Sequence, residues 1–369
     1  MDDPTVLVSS EVQSKIDKVR TKSLDISFNE LLDMLQTEEL IIEPEYQRLF
    51  RWAEGNRSRF IESLILEMPV PPIFVIEVEE GKYELIDGLQ RIGSYMHFRG
   101  AHPSFLDEAG KPAFLKLVDC DIVKALNGLT YENLPQSVKI KLKRSFVRME
   151  VIRKESDQRL RYYMFKRLNT GGARLSDQEI RNCTIRLLGN KFNDFIIELS
   201  QTDSFKSCIA NVSDEKIFQK FDQELVLRFF AFKNWTNNFK HDLDNFMTDY
   251  MEGVTTGELA FDYTQEKQTF ERTFLLLSRA LGDQAFSSMN KKGNLVARFM
   301  AYHYEAFTVG IQTHLDNLEK KTDQELEALL KEIKGKQKFI EMTTGGGKNY
   351  LIQLLNRINF VKDGIAAKL

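Results

Sequence analysis

One short stretch, YELIDGLQRIGSYMHFRG at 83–100, puts an acid, a glycine, an amide and a guanidinium on a predicted strand-to-helix turn. Gly88 permits the positive φ of a sharp turn, and the free N–H groups of the following helix suit an anion. Arg91 offers a planar pair of donors to phosphate oxygens, while Asp87 can hold a metal ion or orient a water that Gln90 positions. An ordinary helix start, capped by Asp87 with Arg91 in solvent, explains the same residues, and so short a motif favours that alternative by itself.

Two other polar clusters could contact the same kind of ligand: Tyr46, Gln47, Arg48, Arg51 and Trp52, and Asn169, Thr170, Gly171 and Gly172. An arginine of the first cluster could pair with phosphate and its tryptophan with a base, although arginine stems packed over aromatic rings are the alternative. The glycines of the second cluster offer backbone amides to a phosphate, but by themselves they favour an ordinary helix C-cap. The stretch TTGGGKNY, 343–350, is not a Walker A motif, because position 342 is methionine where that motif needs glycine.

Positive charge is concentrated in one segment of a chain whose net charge is −3. Between Lys139 and Arg167 there are 11 Lys or Arg residues against three acids. The run opens with four cations that could contact nucleic-acid phosphate: Lys139, Lys141, Lys143 and Arg144. A solvated helix face is the alternative for such a run.

The elements that must position these residues divide the chain in two. IFVIEVEEGKYELID, 73–87, predicts a hairpin around Glu80 and Gly81, FVRMEVI predicts a strand at 146–152, and strand signals nearly vanish beyond about residue 190. Ser27 with Glu30, and Ser176 with Glu179, have the spacing of helix capping boxes. We therefore predict an α+β protein with a flexible terminus over 1–22, a mixed domain over 23–190 and an all-helical domain over 191–369.

Composition indicates a globular protein with ample core material. Hydrophobic residues make up 42% of the chain, and most of the 27 phenylalanines fall at helix-like spacing, which is typical of core packing. There is no run of 18 apolar residues and no secretory signal at the N-terminus, and the three cysteines are far apart. These features predict reduced thiols and a cytoplasmic location.

Four blocks in this order resemble one known family: PEYQRLFRW, FIESLILEMPVPPIFV, YELIDGLQR and FKRLNTGGARLSDQEIRN. They resemble the DUF262 family, the N-terminal domain of GmrSD-type, modification-dependent restriction enzymes, which is related in fold to ParB and sulfiredoxin. The resemblance covers about 25–190 and implies a nucleotide-hydrolysing site on a DGQQR motif. Here that motif is 87–91, with Leu89 where the family has glutamine. It implies that Asp87, Gln90 and Arg91 are catalytic and that Asp87 holds the Mg²⁺ that accompanies the nucleotide. Tyr46, Gln47, Arg48, Gly88 and the 169–172 turn would then surround that nucleotide.

The leading hypothesis is an NTP-binding and NTP-hydrolysing component of a bacterial, DNA-directed anti-phage defence system, with DNA and a separate nuclease subunit as partners. The only histidines after residue 190 are His241, His303 and His314, in unrelated contexts, so we do not expect this chain to cut DNA by itself. A non-catalytic regulatory or scaffold module that binds nucleotide or DNA is the alternative, which Leu89 favours. A nuclease with a ParB-like site is the third hypothesis.

Overall fold

The structure is a computed structural model, and it describes residues 12–13, 20–42, 50–103, 105–106, 110–111, 113–157, 163–164, 176–290, 293–345 and 350–369. The chain forms two compact units, an N-terminal unit over 1–175 and a C-terminal unit over 176–369. A small mixed sheet with helices makes up the first, and helices make up the second. The predicted α+β class is therefore confirmed.

The described part of the N-terminal unit contains a five-stranded sheet with the order β1-β5-β3-β4-β2. Its strands are β1 (Thr21–Ser27), β2 (Leu40–Ile41), β3 (Ile73–Glu79), β4 (Lys82–Asp87) and β5 (Phe146–Ile152). β3 and β4 form the predicted hairpin, and β5 runs parallel to β3 and antiparallel to β1. The sheet therefore brings the end of β4, where the DGLQR motif begins, beside the start of β3.

Four described helices accompany this sheet: α1 (Phe28–Gln36), α2 (Glu54–Ile65), α3 (Leu89–Phe98) and α4 (Gln136–Arg144). α1 begins as predicted, because the Ser27 hydroxyl accepts a hydrogen bond from the Glu30 amide at 3.0 Å. α2 and α3 pack against each other and bury apolar side chains such as Ile61, Leu64 and Ile92. This pairing places the helix after the motif on a well-packed support.

The described helices of the C-terminal unit surround a phenylalanine-rich core. They are α5 (Asp177–Ile185), α6 (Lys191–Ser200), α7 (Asp203–Cys208), α8 (Asp214–Phe218), α9 (Phe221–Trp235), α10 (Leu243–Thr255), α11 (Tyr263–Leu281), α12 (Ala301–Gly310), α13 (Leu315–Leu318), α14 (Asp323–Gly335), α15 (Gln337–Thr343) and α16 (Leu351–Ala366). Ser176 and Glu179 form the predicted capping box at the start of α5. Phe205, Phe229, Phe270 and Phe274 are fully buried, as the helix-like spacing of the phenylalanines predicts.

Two features differ from the expectations of the sequence. The sequence does not predict β1. Its seven residues, TKSLDIS, include only two large apolar side chains, and all seven are exposed or half-buried, so the apolar alternation of a strand is weak. The segment FQKFDQELVLRFFAFKNW, 218–235, has a sequence pattern that predicts an amphipathic helix, but the residues of α9 from Leu225 to Phe232 are all buried, so this helix lies at the centre of its unit. No helix among the described residues is long and apolar enough to cross a membrane.

Candidate functional site

The turn between β4 and α3 depends on a glycine. Gly88 has φ +116°, a left-handed conformation that L side chains rarely adopt. A Cβ at this position would also lie 2.5 Å from Cγ2 of Ile73. Within the described chain no side chain caps the start of α3, so its first N–H groups face the turn without a partner from a capping residue. The local geometry thus provides a helix N-terminus that suits an anion.

Asp87 and Arg91 form an ion pair across this turn. Nη2 of Arg91 donates to Oδ2 of Asp87 at 2.8 Å and to the carbonyl oxygen of Pro72 at 2.9 Å. The side chains are 13% exposed for Arg91 and 30% for Asp87, so the pair lies at the surface of the turn without being fully solvated. One edge of the guanidinium is therefore held in place, whereas Nε and Nη1 make no hydrogen bond to the described residues.

Gln90 links the motif to the first polar cluster. Its amide oxygen accepts hydrogen bonds from the backbone N–H groups of Arg51 and Trp52, both at 3.0 Å. The structure thus brings together two regions that are 38 and 39 residues apart in sequence. Sequence reasoning expected this amide to position a water, and it missed the backbone contacts because no local pattern signals them.

Several predicted site residues cannot be placed relative to this turn. Tyr46, Gln47 and Arg48 of the first cluster lie outside the described residues, and so do Asn169, Thr170, Gly171 and Gly172. The described core of the candidate site therefore consists of Asp87, Gly88, Gln90 and Arg91 with the Arg51–Trp52 backbone.

A buried arginine next to α3 was missed by sequence reasoning. Arg57 of α2 is only 7% exposed, and its Nη1 lies 2.7 Å from Nδ1 of His97. Its guanidinium also lies 4.8 Å from the centre of the Phe105 ring, a cation–π distance. Among the described residues no carboxylate forms an ion pair with it, and burial lowers its pKa. The available signal was an arginine in register with Phe60, Ile61 and Leu64 on the apolar face of a helix.

The histidines beside Arg57 are neutral at physiological pH. Burial, followed by the positive charge of Arg57, lowers the pKa of His97 to about 4 and that of His102 to about 4. Because a guanidinium does not give up its proton in proteins, Nδ1 of His97 must be the acceptor in the Arg57 contact. Arg57 is therefore the positive charge within this cluster of rings, which we call the Arg57 cluster: Arg57, His97, His102, Phe50 and Phe105.

The predicted nucleic-acid contacts lie on α4 and differ in their partners. Nζ of Lys139 donates to the carbonyl oxygen of Glu132 at 2.7 Å, and Nζ of Lys141 lies 3.7 Å from a carboxylate oxygen of Glu67. Lys143 and Arg144 are exposed and make no ion pair or hydrogen bond within the described ranges. Lys143 and Arg144 are therefore available to an external anion, whereas Lys139 and Lys141 already have contacts of their own.

The described residues contain no group of three or more His, Cys, Asp or Glu side chains arranged to hold a metal ion. Mg²⁺ that accompanies a nucleotide needs only one or two carboxylates, since phosphates and waters fill its other positions. Asp87 fits that requirement, because it is partly exposed and its Oδ1 makes no hydrogen bond within the described chain.

The fold and the turn define an α+β domain with a DGLQR motif at a strand-to-helix junction. Residues 28–186 match the family model described as the GmrSD restriction endonuclease, N-terminal domain. The resemblance of the four sequence blocks to this family is therefore confirmed over residues 28–186, and the match points to a protein related to restriction and defence. No curated protein and no solved structure gives a significant match to the chain.

Proposed function

We propose that the N-terminal unit binds a nucleoside triphosphate with Mg²⁺ at the β4–α3 turn and hydrolyses it, as a cytoplasmic component of a DNA-directed defence system. The observation that carries this proposal is the Asp87–Gly88–Arg91 geometry at an uncapped helix start. It lies within a domain that matches the N-terminal domain of a restriction endonuclease. The DNA contact is assigned to α4, through Lys143 and Arg144 first, and its affinity should fall steeply as salt rises.

The charges at the turn suit a phosphate that binds together with a metal cation. Asp87 alone would repel a phosphate, but its pairing with Arg91 at 2.8 Å cancels that repulsion. Nη1 of Arg91, which makes no hydrogen bond to the described residues, and the amides at the start of α3 are the donors for phosphate oxygens. Asp87 is the residue that would hold Mg²⁺, an ion that neutralises charge developing on the phosphates.

A second candidate function is nucleotide binding without turnover, as in a regulatory module. The amide oxygen of Gln90 is already occupied by two backbone N–H groups, which leaves it less suited to orient a water. Leu89, where the family has glutamine, is only 6% exposed and cannot hydrogen bond. Both observations concern hydrolysis and leave the phosphate-binding geometry intact.

A thermal-shift panel of ATP, GTP, CTP and UTP, each with and without Mg²⁺, tests the binding. A ligand present at 100 times its Kd stabilises the native state by about 2.7 kcal/mol, so we expect a clear rise with at least one nucleotide. Arg91→Ala should weaken binding of that nucleotide by roughly 1.5–3 kcal/mol, the scale of hydrogen bonds to charged groups. Arg59→Ala removes an exposed arginine of α2 and is the matched control.

Phosphate release separates the two candidates. Asp87→Ala should abolish hydrolysis and leave part of the nucleotide binding, whereas a wild type that binds but never releases phosphate is a binding module. If no nucleotide raises the transition temperature, or if folded Arg91→Ala binds as tightly as Arg59→Ala, the β4–α3 turn is not the site.

A further inference from the structure

A cavity of about 660 Å³ lies in the N-terminal unit, away from the DGLQR motif. Its walls come from the ends of β1, α2 and α4 and from the first residues of β5. The volume falls within the roughly 300–1,000 Å³ range of small-molecule sites. It opens beside the basic end of α4, where the DNA contact was assigned from sequence.

The cavity exposes an aromatic ring that the fold does not need. Phe146, the first residue of β5, is 64% exposed, and Met68, which also lines the cavity, is 45% exposed. Leu64 and Val147 also line the cavity and are buried, so part of its wall is apolar. The cavity therefore presents an exposed aromatic ring next to apolar residues of its wall.

Charged groups surround this apolar wall. Arg144 makes no ion pair within the described part of the chain, and Lys141 is held only loosely by Glu67 at 3.7 Å. Arg148 contacts Asp25 across the β1–β5 pair with oxygens at 3.1 and 3.3 Å, and both side chains are about half exposed. Ion pairs this exposed contribute little by themselves, so a ligand can exchange them for its own contacts at small cost.

Basic residues in the last turn of α4 also complement the negative end of that helix, but this role does not explain the exposed ring of Phe146.

A ligand with a flat apolar face, hydrogen-bonding edges and an attached phosphate would use every part of the cavity. Its ring would stack on Phe146, its edge would meet the carboxylates of Asp25 and Glu67, and its phosphate would meet Arg144. A base paired within a duplex cannot enter, because its faces and edge are already occupied.

We propose that this cavity takes one unpaired nucleotide of a DNA strand, with Phe146 as the stacking residue and Arg144 as the phosphate contact. The inference deepens the proposed function, since it rests on the DNA contact assigned to α4. It does not rest on nucleotide hydrolysis at the β4–α3 turn.

The test measures the affinity of the full chain, by fluorescence anisotropy at one salt concentration, for three labelled DNAs. These are a fully paired duplex, the same duplex with a one-nucleotide bulge, and the corresponding single strand. Since stacking of a base on an aromatic side chain is worth about 1–3 kcal/mol, the bulged and single-stranded DNAs should bind about 5- to 150-fold more tightly than the duplex.

Phe146→Ala should remove that preference and leave affinity for the paired duplex unchanged, whereas Arg144→Ala should weaken all three. Phe218→Ala is the matched control, because Phe218 is a similarly exposed phenylalanine, at 57%, in the C-terminal unit. The thermal unfolding transition of Phe146→Ala without ligand should stay cooperative and close to that of the wild type, which shows that the variant is folded.

Equal binding of paired and bulged DNA by the wild type overturns the inference and leaves the α4 contact standing. A preference that survives Phe146→Ala also overturns it, because the ring would then play no part. If the wild type binds none of the three DNAs, the inference and the DNA contact both fail, while the NTP panel decides the β4–α3 turn independently.

Discussion

The two units bury arginines in opposite ways. In the C-terminal unit, Arg228 contacts Glu224 at 2.8 Å and Glu305 at 3.2 Å, and Arg357 contacts Glu305 at 2.9 Å. Arg181 adds a contact to Glu224 at 3.4 Å. These side chains form a continuous buried network across α5, α9, α12 and α16, which we call the Glu305 network.

In the N-terminal unit, Arg57 is also buried, but among the described residues it contacts aromatic rings and a neutral histidine and forms no ion pair with a carboxylate. A buried pair that is complete is costly to break, because removal of one partner leaves an uncompensated charge. Removal of Arg57 leaves no unpaired carboxylate among the described residues. The difference teaches that burial alone does not measure how much an arginine stabilises its unit.

The comparison can be tested unit by unit, because each unit contains one of the two tryptophans, Trp52 and Trp235. Trp235→Phe leaves a reporter of the N-terminal unit, and Trp52→Phe leaves a reporter of the C-terminal unit. Urea unfolding followed by tryptophan fluorescence then gives the free energy of unfolding at the reporter in each background.

The largest effect is expected from Glu305→Ala. It leaves Arg357 without its carboxylate and Arg228 with only Glu224, so the C-terminal unit should lose about 3–5 kcal/mol. Asp316→Ala, which removes a surface partner of Arg272, is the control and should change little. A loss from Glu305→Ala no larger than that control would mean that the Glu305 network does not stabilise the unit.

A smaller and more direct comparison replaces one arginine in each unit by methionine. Arg357→Met removes one of the two partners of Glu305, and we expect a loss of about 1–3 kcal/mol at the Trp235 reporter. Arg57→Met removes a buried cation that forms no ion pair with a carboxylate among the described residues, so the Trp52 reporter should change by no more than about 1 kcal/mol in either direction. Equal losses in the two units would remove the distinction between them.

Local patterns predicted much of the fold. The β3–β4 hairpin, the helix that follows Gly88 and strand β5 each have a signal within their own residues: alternation, a turn glycine or a helical period. The capping box of Ser176 and Glu179 likewise lies within four consecutive residues. Such elements are predictable because the interactions that specify them are close in sequence.

Contacts distant in sequence were not predictable. β1 is specified by pairing with β5, more than 100 residues later, and Arg57 meets His97 across 40 residues. The bonds from the Arg51 and Trp52 amides to Gln90 are of the same kind. At the candidate site, therefore, the sequence indicates which residue types are present. Which of their atoms already make hydrogen bonds is decided by the tertiary fold.

The smallest effect concerns pH and the neutral histidines of the Arg57 cluster. Burial, followed by the charge of Arg57, lowers the pKa of His102 from 6.5 to about 4. Between these two values the unfolded chain binds a proton that the folded chain does not, so stability falls as pH drops from about 6.5 towards 4. From pH 7 to pH 5 this histidine should account for a loss on the order of 1–2 kcal/mol.

His102→Phe keeps a ring against Phe50 and Phe105 and cannot titrate. At the Trp52 reporter, its stability should therefore fall less steeply with acid than that of the wild type. His303 of the C-terminal unit, whose pKa burial also lowers, is unchanged in this variant, so the Trp235 reporter should give the same pH dependence with and without the substitution. Parallel curves at the Trp52 reporter would show that His102 is already protonated near its ordinary pKa and that Arg57 is not the one positive charge in its cluster.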